Sequence, residues 1–205
     1  MSRKPREYYP GAAFHIYARG NKRAPIFHEP KDFQKYLEIL EATREKYPFI
    51  LHAYCLMSNH LHLQLQPKQI TRENIIPNIM KYAHMHYAIY LNKKLEIDGH
   101  VFQGRFQSKI IIPTDYFLTL SRYIHRNPLE AHIVSKPEEY QWSSYSAYIN
   151  QSKNPHIDTT KTLSYFPEPT YLSYREFVER DEEDDVNKAN KANELNEAQK
   201  GGILL

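Results

Sequence analysis

The stretch Ser58-Asn59-His60-Leu61-His62-Leu63-Gln64-Leu65-Gln66 decides the fold of this chain. From His60 onward, polar residues alternate strictly with leucines, which is the period of a β-strand whose two faces differ. The leucine face predicts a buried side, and the opposite face carries His60 and His62 next to each other. Two imidazoles at positions i and i+2 of a strand can bind one divalent ion, or they can be polar residues on a half-exposed strand. The motif alone leaves both interpretations open.

A second His-x-His pair, His84 and His86, lies in a helical pattern of apolar residues. Residues two positions apart on a helix point to nearly opposite faces. We therefore expect this second pair not to chelate an ion.

The length of 205 residues fits one domain with a tail. We expect a basic arm at residues 1–11, a main domain at residues 12–150 and a C-terminal extension at residues 151–205. Residues 180–200 of the extension are almost wholly polar, which predicts a solvated helix or disorder there.

No apolar run reaches the ~18 residues that a membrane helix needs, and the basic N-terminus is not followed by the apolar segment of a signal peptide. The single cysteine, Cys55, excludes a disulfide framework and favours the reducing cytoplasm. Cys55 lies in an apolar run, so we expect a buried, inert thiol.

The net charge of +3 hides an asymmetry along the chain. Residues 1–150 hold 20 Lys and Arg against 13 Asp and Glu, whereas residues 151–205 hold 7 against 11. A basic body favours a polyanionic partner, and the 17 tyrosines offer flat rings for stacking on unpaired bases, although most of them will simply pack. The candidate DNA contacts are polar and mostly cationic residues of the arm, of one turn, of one strand and of one helix: Arg3, Lys4, Arg6, Arg19, Asn21, Lys22, Arg23, Arg105, Lys109, Arg122 and Arg126.

The hydrophobic periodicities predict the element order β-α-β-β-α-β-α, with an aromatic-rich helical segment after it. A tight turn at Ser58-Asn59 joins two strands as an antiparallel hairpin. The predicted elements are a strand at 13–18, a helix at 30–47, strands at 49–57 and 60–66, a helix at 71–94, a strand at 100–112, a helix from 113 to Asn127-Pro128 and a helical segment at 140–148. This order is typical of a ferredoxin-like α+β fold, in which helices pack on one face of an antiparallel sheet.

In such a fold the third helix returns to the sheet with Tyr123 and Asn127 one turn apart on the same face. His60, His62 and the Asn127 amide oxygen would supply three ligands, and a phosphate and water would complete the octahedral shell that Mg²⁺ or Mn²⁺ prefers. A nearby cation favours the phenolate of Tyr123, and Arg122 or Arg126 could assist. Tyr82, Tyr87 and Tyr90 on the second helix are rival nucleophiles.

Five segments together resemble the REP-associated tyrosine transposases, a branch of the single-tyrosine HUH endonucleases. In chain order they are HIYARGNKRAPIF, HAYCLMSNHLHLQLQP, GHVFQGRFQSK, LSRYIHRNPLEAHIV and YQWSSYSAY, which span about residues 10–150. The resemblance implies that His60 and His62 are metal ligands, that Tyr123 is the nucleophile and that Asn127 is a third ligand. Many relatives carry glutamine at that last position.

The resemblance also implies the reaction, in which Tyr123 cleaves single-stranded or hairpin DNA and forms a 5′-phosphotyrosine with a free 3′-OH. A divalent ion would be the sole cofactor, and the chain would work as a monomer or a homodimer. Two alternatives remain: a non-catalytic nucleic-acid-binding module on the same fold, and a metal-dependent hydrolase of small substrates. The acidic run 181–185 is either a solubilising extension or a segment that competes with DNA for the basic cleft.

Overall fold

The computed structural model describes residues 11–68, 75–111 and 114–180. The predicted contacts Arg3, Lys4 and Arg6 and the acidic run 181–185 lie outside these residues. Within the described part of the chain, no helix is long and apolar enough to cross a membrane.

Four strands and three long helices follow one another in the predicted order. Two short 3-10 helices occupy Asn21–Arg23 and Pro137–Glu139. The remaining elements are β1 Ala13–Arg19, α1 Pro30–Lys46, β2 Phe49–Met57, β3 His60–Pro67, α2 Ile75–Leu95, β4 Gln107–Ile111, α3 Thr114–Glu130, α4 Tyr145–Tyr148, α5 Thr160–Leu163 and α6 Thr170–Glu179.

The strands form one antiparallel sheet in the order β2-β3-β1-β4. This arrangement confirms the predicted ferredoxin-like α+β fold. The turn at Ser58 and Asn59 joins β2 to β3 as expected, and β3 also pairs with the central strand β1. In that pairing Tyr17 lies opposite His62 and Arg19 lies opposite His60, so the histidine pair is at the end of two neighbouring strands.

The two faces of the sheet carry different helices. Leu61, Leu63 and Leu65 pack with α1 and α2 in the main core. Helix α3 covers the opposite face, where Phe117, Leu120 and Ile124 pack against β2. The prediction of helices on one face therefore holds for α1 and α2 but not for α3. The polar face of β3 is consequently buried in its middle, at His62 and Gln64, and partly exposed at His60 and Gln66. Gln64 donates to the Phe117 carbonyl oxygen at 3.0 Å.

Two predicted boundaries differ from the structure. Strand β4 starts only at Gln107, because the segment before it bends through positive φ angles at Gly99 and Gly104 and touches the sheet at one bridge, Phe102 to Gly20. Helix α3 continues through Pro128 to Glu130 instead of ending before the proline.

The aromatic segment 140–148 is helical only in its last four residues, Tyr145–Tyr148. Its first part is a turn followed by a single bridge from Ser143 to Cys55 of β2, and Trp142 in this turn stacks on Phe33 of α1, with ring centroids 4.5 Å apart. Residues 151–180 form two further helices, and α6 buries Tyr174 and Val178 against the rest of the protein.

Candidate active site

The histidine pair begins β3 immediately after the hairpin turn. This turn is held to the end of β1, because the Gly20 amide donates to the Asn59 carbonyl oxygen at 2.8 Å. Gly20 is required for this close packing, since a Cβ at that position would lie 2.0 Å from the Ala24 carbonyl oxygen. Backbone contacts between the hairpin turn and the end of β1 therefore fix the edge of the sheet that carries His60.

His60 connects the sheet to α3. Its Nδ1 lies 2.7 Å from the Asn59 side-chain oxygen, and its Nε2 lies 3.1 Å from Oδ1 of Asn127. A neutral imidazole that donates from Nδ1 carries its lone pair on Nε2. Two lone-pair atoms would then face each other, His60 Nε2 and Asn127 Oδ1.

His62 is buried against the ring of His15. Its Nδ1 lies 3.0 Å from Nε2 of His15 on β1, and the two imidazoles stack with centroids 5.3 Å apart. Burial lowers the pKa of His62 to about 3, and the neighbouring His15 and His60 add to the effect. Burial, and then the charge of Lys109, lowers the pKa of His15 to about 4. Both rings are therefore neutral at neutral pH.

Tyr123 lies on the face of α3 that meets the histidines. Its ring makes an edge-to-face contact with His62 at 5.3 Å and with His15 at 6.0 Å between centroids. The side chain is 47 % exposed, although it belongs to an otherwise packed helix. The phenol is thus supported by imidazoles on one side and open to solvent on the other.

A cleft of about 790 Å³ runs along the histidine edge of the sheet. His60, His62 and Tyr123 line it together with three cations. The other lining residues come from β1, the hairpin turn and the segment before β4: Tyr17, Ala18, Arg19, Arg23, Asn59, Leu61, Phe102, Gln103, Gly104, Arg105 and Gln107. A second cavity of about 390 Å³, which includes Lys109, is also lined by Tyr123.

The structure brings some of the predicted DNA contacts to this cleft. Arg19, Arg23 and Arg105 line it, and Lys109 lines the second cavity. Lys22 and Arg23 lie in the 3-10 turn after β1 with positive φ angles of 52° and 62°, a conformation that costs energy for residues other than glycine. Asn21 belongs to the same turn but does not line the cleft.

Arg122 and Arg126 do not point to the cleft. Arg126 Nη1 donates to the carbonyl oxygens of Val178 and Arg180, at 3.0 and 3.1 Å, and its Nε donates to Glu130. Arg122 also donates to the Arg180 carbonyl oxygen. Their guanidiniums bind the carboxyl end of α6, so this structure does not support the expectation that they contact DNA or assist the phenol.

The rival residues lie elsewhere. Tyr82, Tyr87 and Tyr90 belong to α2, which packs on the leucine face of the sheet, away from the histidine pair. Tyr87 is fully buried and donates to the Ile26 carbonyl oxygen, and Tyr90 donates to Asp32.

Other reactive side chains are structural. His125 is fully buried between the Tyr174 hydroxyl and the Ser144 hydroxyl, at 2.7 and 2.8 Å. Cys55 is fully buried as expected, and burial raises the pKa of its thiol.

The donor set fits a divalent ion only in part. No group of three or more His, Cys, Asp or Glu side chains within residues 11–68, 75–111 and 114–180 could hold a metal. The available set is two imidazoles and the Asn127 amide oxygen. The 3.1 Å between His60 Nε2 and Asn127 Oδ1 is close to the ~3 Å that separates adjacent ligands with bonds of ~2.1 Å. Such a site needs further oxygen ligands, which a DNA phosphate and water can supply.

Sequence reasoning missed His15 and Tyr17. Both lie on one face of β1, on the side of the sheet that also carries His60 and His62, and the alternation in AFHIYAR shows that the two share a face. What the sequence does not show is that β1 pairs with β3 in the register that places His15 against His62.

The chain is similar to two proteins of known structure and to one protein family. The structure of a REP-associated tyrosine transposase bound to a REP hairpin has the same fold, with a TM-score of 0.59 at 17 % identity, covering 78 % of this chain and 93 % of that one. A putative transposase from Deinococcus radiodurans R1 matches with a TM-score of 0.42 at 15 % identity, covering 61 % of this chain and 97 % of that one. No curated protein matches the sequence significantly. The profile of the IS200-like transposases matches residues 9–127, more than half of the 205 residues. This chain therefore belongs to the IS200-like transposase family, as its sequence predicts.

Proposed function

We propose that this chain is a transposase-like endonuclease that cleaves single-stranded DNA by transesterification at Tyr123. The observation that carries the proposal is the position of the Tyr123 phenol, half-exposed in a basic cleft and in ring contact with His62. A side chain that only packs would be buried, as Tyr87 and Tyr174 are.

The reaction conserves the number of phosphoester bonds. The Tyr123 oxygen loses its proton and attacks a DNA phosphorus, and the bond from that phosphorus to the 3′-oxygen breaks. The leaving oxygen takes up a proton and becomes a 3′-OH, while the 5′-phosphate remains on the tyrosine. Because the covalent link keeps the bond energy, another 3′-OH can reverse the step and join strands.

His60, His62 and Asn127 would hold a divalent ion, Mg²⁺ or Mn²⁺, beside the phenol. Such an ion supplies a Lewis acid that stabilises charge on phosphate oxygens. His15 holds the His62 ring, and the Asn59 oxygen holds that of His60, so both ligand imidazoles are oriented before any ion binds.

The substrate we propose is DNA with a hairpin next to an unpaired strand. The cleft is lined by Arg19, Arg23 and Arg105, which suit the phosphates of a strand entering from the hairpin turn. The fold shared with a transposase bound to a REP hairpin supports the same choice.

A covalent trapping experiment tests this function. The full chain is mixed with hairpin DNA and Mg²⁺ or Mn²⁺, and a protein–DNA adduct that survives SDS is expected for the wild type. Tyr123→Phe should remove the adduct and keep the fold, whereas Tyr82→Phe, equally conservative but on the other face of the sheet, should retain it.

Three outcomes would contradict the proposal. Adduct formation by Tyr123→Phe, or mapping of the DNA to another tyrosine, would overturn the nucleophile. Tight hairpin binding without any adduct would favour the non-catalytic binding module. Metal-dependent turnover of a small substrate that survives Tyr123→Phe would favour a hydrolase.

A further inference from the structure

A third cavity, of about 410 Å³, lies between α2 and the segment 99–106 that precedes β4. It opens beside the cleft that holds Tyr123 but is separate from it. Its lining comes from two places, one face of α2 and that segment: Pro77, Met80, Lys81, His84, Met85, Ala88, Gly99, His100, Val101, Phe102, Gly104, Arg105 and Phe106.

The inside of this cavity is apolar and aromatic. The His84 ring stacks on Phe102 with centroids 4.0 Å apart and an angle of 12° between the planes. His84 Nε2 is buried and has no hydrogen-bond partner among the residues that the structure describes. A buried polar atom without a partner is costly, so a ligand with a polar edge would relieve a deficit already present.

The rim of the cavity is basic. Two cations, Lys81 and Arg105, and the imidazole of His100 line it and are exposed, and none of the lining residues is Asp or Glu. An apolar, aromatic interior with two cations at its mouth complements an aromatic ring that carries a phosphate.

The cavity and the cleft that holds Tyr123 share one wall. Phe102, Gly104 and Arg105 line both. The wall between them is fixed, because the Asn21 amide donates to the Val101 carbonyl oxygen and the Gln103 amide donates to that of Arg19, both at 2.9 Å. A strand that leaves Tyr123 across Gly104 and Arg105 therefore reaches this cavity.

We infer that this cavity binds one unpaired nucleobase of the DNA strand whose phosphate meets Tyr123. The base inserts beside His84 and Met80, its polar edge reaches His84 Nε2, and Arg105 holds the phosphate between cavity and cleft. This inference rests on the proposed function, because it takes the occupant from the same strand.

An abasic scan tests the inference with the full chain. Each unpaired nucleotide of a hairpin oligonucleotide is replaced in turn by an abasic residue, and the affinity is measured for the wild type and for Ala88→Phe. Ala88 lines the cavity, so the phenyl group fills it. Ile89→Phe is the matched control, since Ile89 is the next residue, is 59 % exposed and does not line the cavity.

We expect one position, away from the cleaved phosphate, where removal of the base weakens wild-type binding about tenfold.

 

Ala88→Phe should bind the intact DNA about tenfold more weakly than the wild type, with no further loss at that one position. Ile89→Phe should give the wild-type profile. Met85→Glu repeats the test from the rim without filling the interior, and Ile97→Glu is its control, since Met85 and Ile97 are 45 % and 50 % exposed and only Met85 lines the cavity.

A flat scan, or identical profiles for Ala88→Phe and Ile89→Phe in folded protein, would overturn the inference. If Ala88→Phe changes the sedimentation coefficient of the protein but leaves the abasic scan unchanged, the cavity would be assigned to a protein partner instead. The adduct assay separates the two proposals: an adduct with a flat scan leaves the proposed function standing, and a position-specific scan without an adduct leaves the base site standing.

Discussion

His15 Nε2 and His62 Nδ1 lie 3.0 Å apart in the interior, and only one proton can be shared between them. Both rings are neutral at neutral pH because burial lowers the pKa of each, to about 4 and about 3. If His62 donates from Nδ1, its Nε2 keeps a lone pair for a metal ion. In that tautomer, His15 holds the His62 ring with its Nε2 free for an ion.

Replacing His15 with Phe should weaken Mn²⁺ binding about tenfold to a hundredfold, because the His62 tautomer is no longer fixed. Ion affinity can be measured by calorimetry without any DNA. His52→Phe is the matched control, since His52 is also a buried strand histidine but pairs with Gln66. Equal losses in both variants would point to a general packing effect.

Replacing His60, His62 or Asn127 with alanine should abolish cleavage and ion binding. The affinity for hairpin DNA, measured in EDTA, should stay near the wild-type value. The contacts of Arg and Lys to phosphates do not need the ion. Gln66→Ala changes a polar residue further along the same strand face and should cleave normally. Cleavage at the wild-type rate by a histidine variant would show that the ion site is elsewhere.

Arginines that line the cleft and arginines that bind α6 should differ in their effect on the salt dependence of DNA affinity. Arg105→Ala should weaken DNA binding and reduce the slope of log affinity against log salt by about 1, since Arg105 lines the cleft. Arg126→Ala should leave that slope unchanged and lower the free energy of unfolding by about 2 kcal/mol, because it removes charge-assisted hydrogen bonds to α6. The reverse pattern would restore Arg126 as a DNA contact.

Asp32 should make stability depend on acid pH. Its carboxylate is fully buried and accepts hydrogen bonds from Lys94 Nζ at 2.6 Å, the Tyr90 hydroxyl at 2.8 Å and the His28 amide at 2.8 Å. Burial alone would raise the pKa of Asp32, but these hydrogen bonds outweigh it and the pKa is lowered. A folded pKa below the unfolded one stabilises the fold above the unfolded pKa of ~3.9, and the gain is lost as the pH falls through the folded value.

Asp32→Asn should therefore lower the free energy of unfolding at pH 7 by about 3 kcal/mol and remove this acid-dependent loss. Urea unfolding at several pH values measures both effects. Glu38→Gln is the control, because Glu38 pairs with Lys35 on the exposed surface of α1. Parallel stability profiles for Asp32→Asn and the wild type would refute the assignment.

Chains truncated after Phe177 and after Arg180 should differ in stability. A chain that ends at Phe177 loses Val178, which is fully buried, and both carbonyl groups that Arg126 binds, so we expect it to be about 3 kcal/mol less stable. A chain that ends at Arg180 keeps these contacts and should be more stable than the one that ends at Phe177. The chain that ends at Arg180 is therefore the one to use in testing whether the acidic run 181–185 competes with DNA. Competition requires that removing the run gives tighter hairpin binding at low salt.

The local features of the fold were predictable because they depend on neighbours in sequence. The alternation from His60 to Gln66 and the two-residue turn before it determine the hairpin, and Pro30 marks the start of α1. The face of α3 that carries Tyr123 and Asn127 follows from helical spacing alone.

Features that depend on tertiary contacts were not predictable. The helical pattern of α3 does not say which face of the sheet it covers, and charge does not distinguish Arg105, which lines the cleft, from Arg126, which binds backbone carbonyls. Pro128 resembles a helix end in sequence but is accommodated inside α3. The weak pattern after Asn150 likewise hides the burial of Tyr174, which depends on His125 and Tyr148 as neighbours.

Every side chain of the candidate site comes from one chain, since β1, β3 and α3 of the same molecule carry His15, His60, His62, Tyr123 and Asn127. If this site cleaves DNA as proposed, one copy carries all of these residues, so strand cleavage would not depend on protein concentration. Dilution should therefore leave the rate of strand cleavage per molecule constant. Rejoining two different DNA ends requires that each end be brought to the other. A second copy of the protein would first change the kinetics at that step.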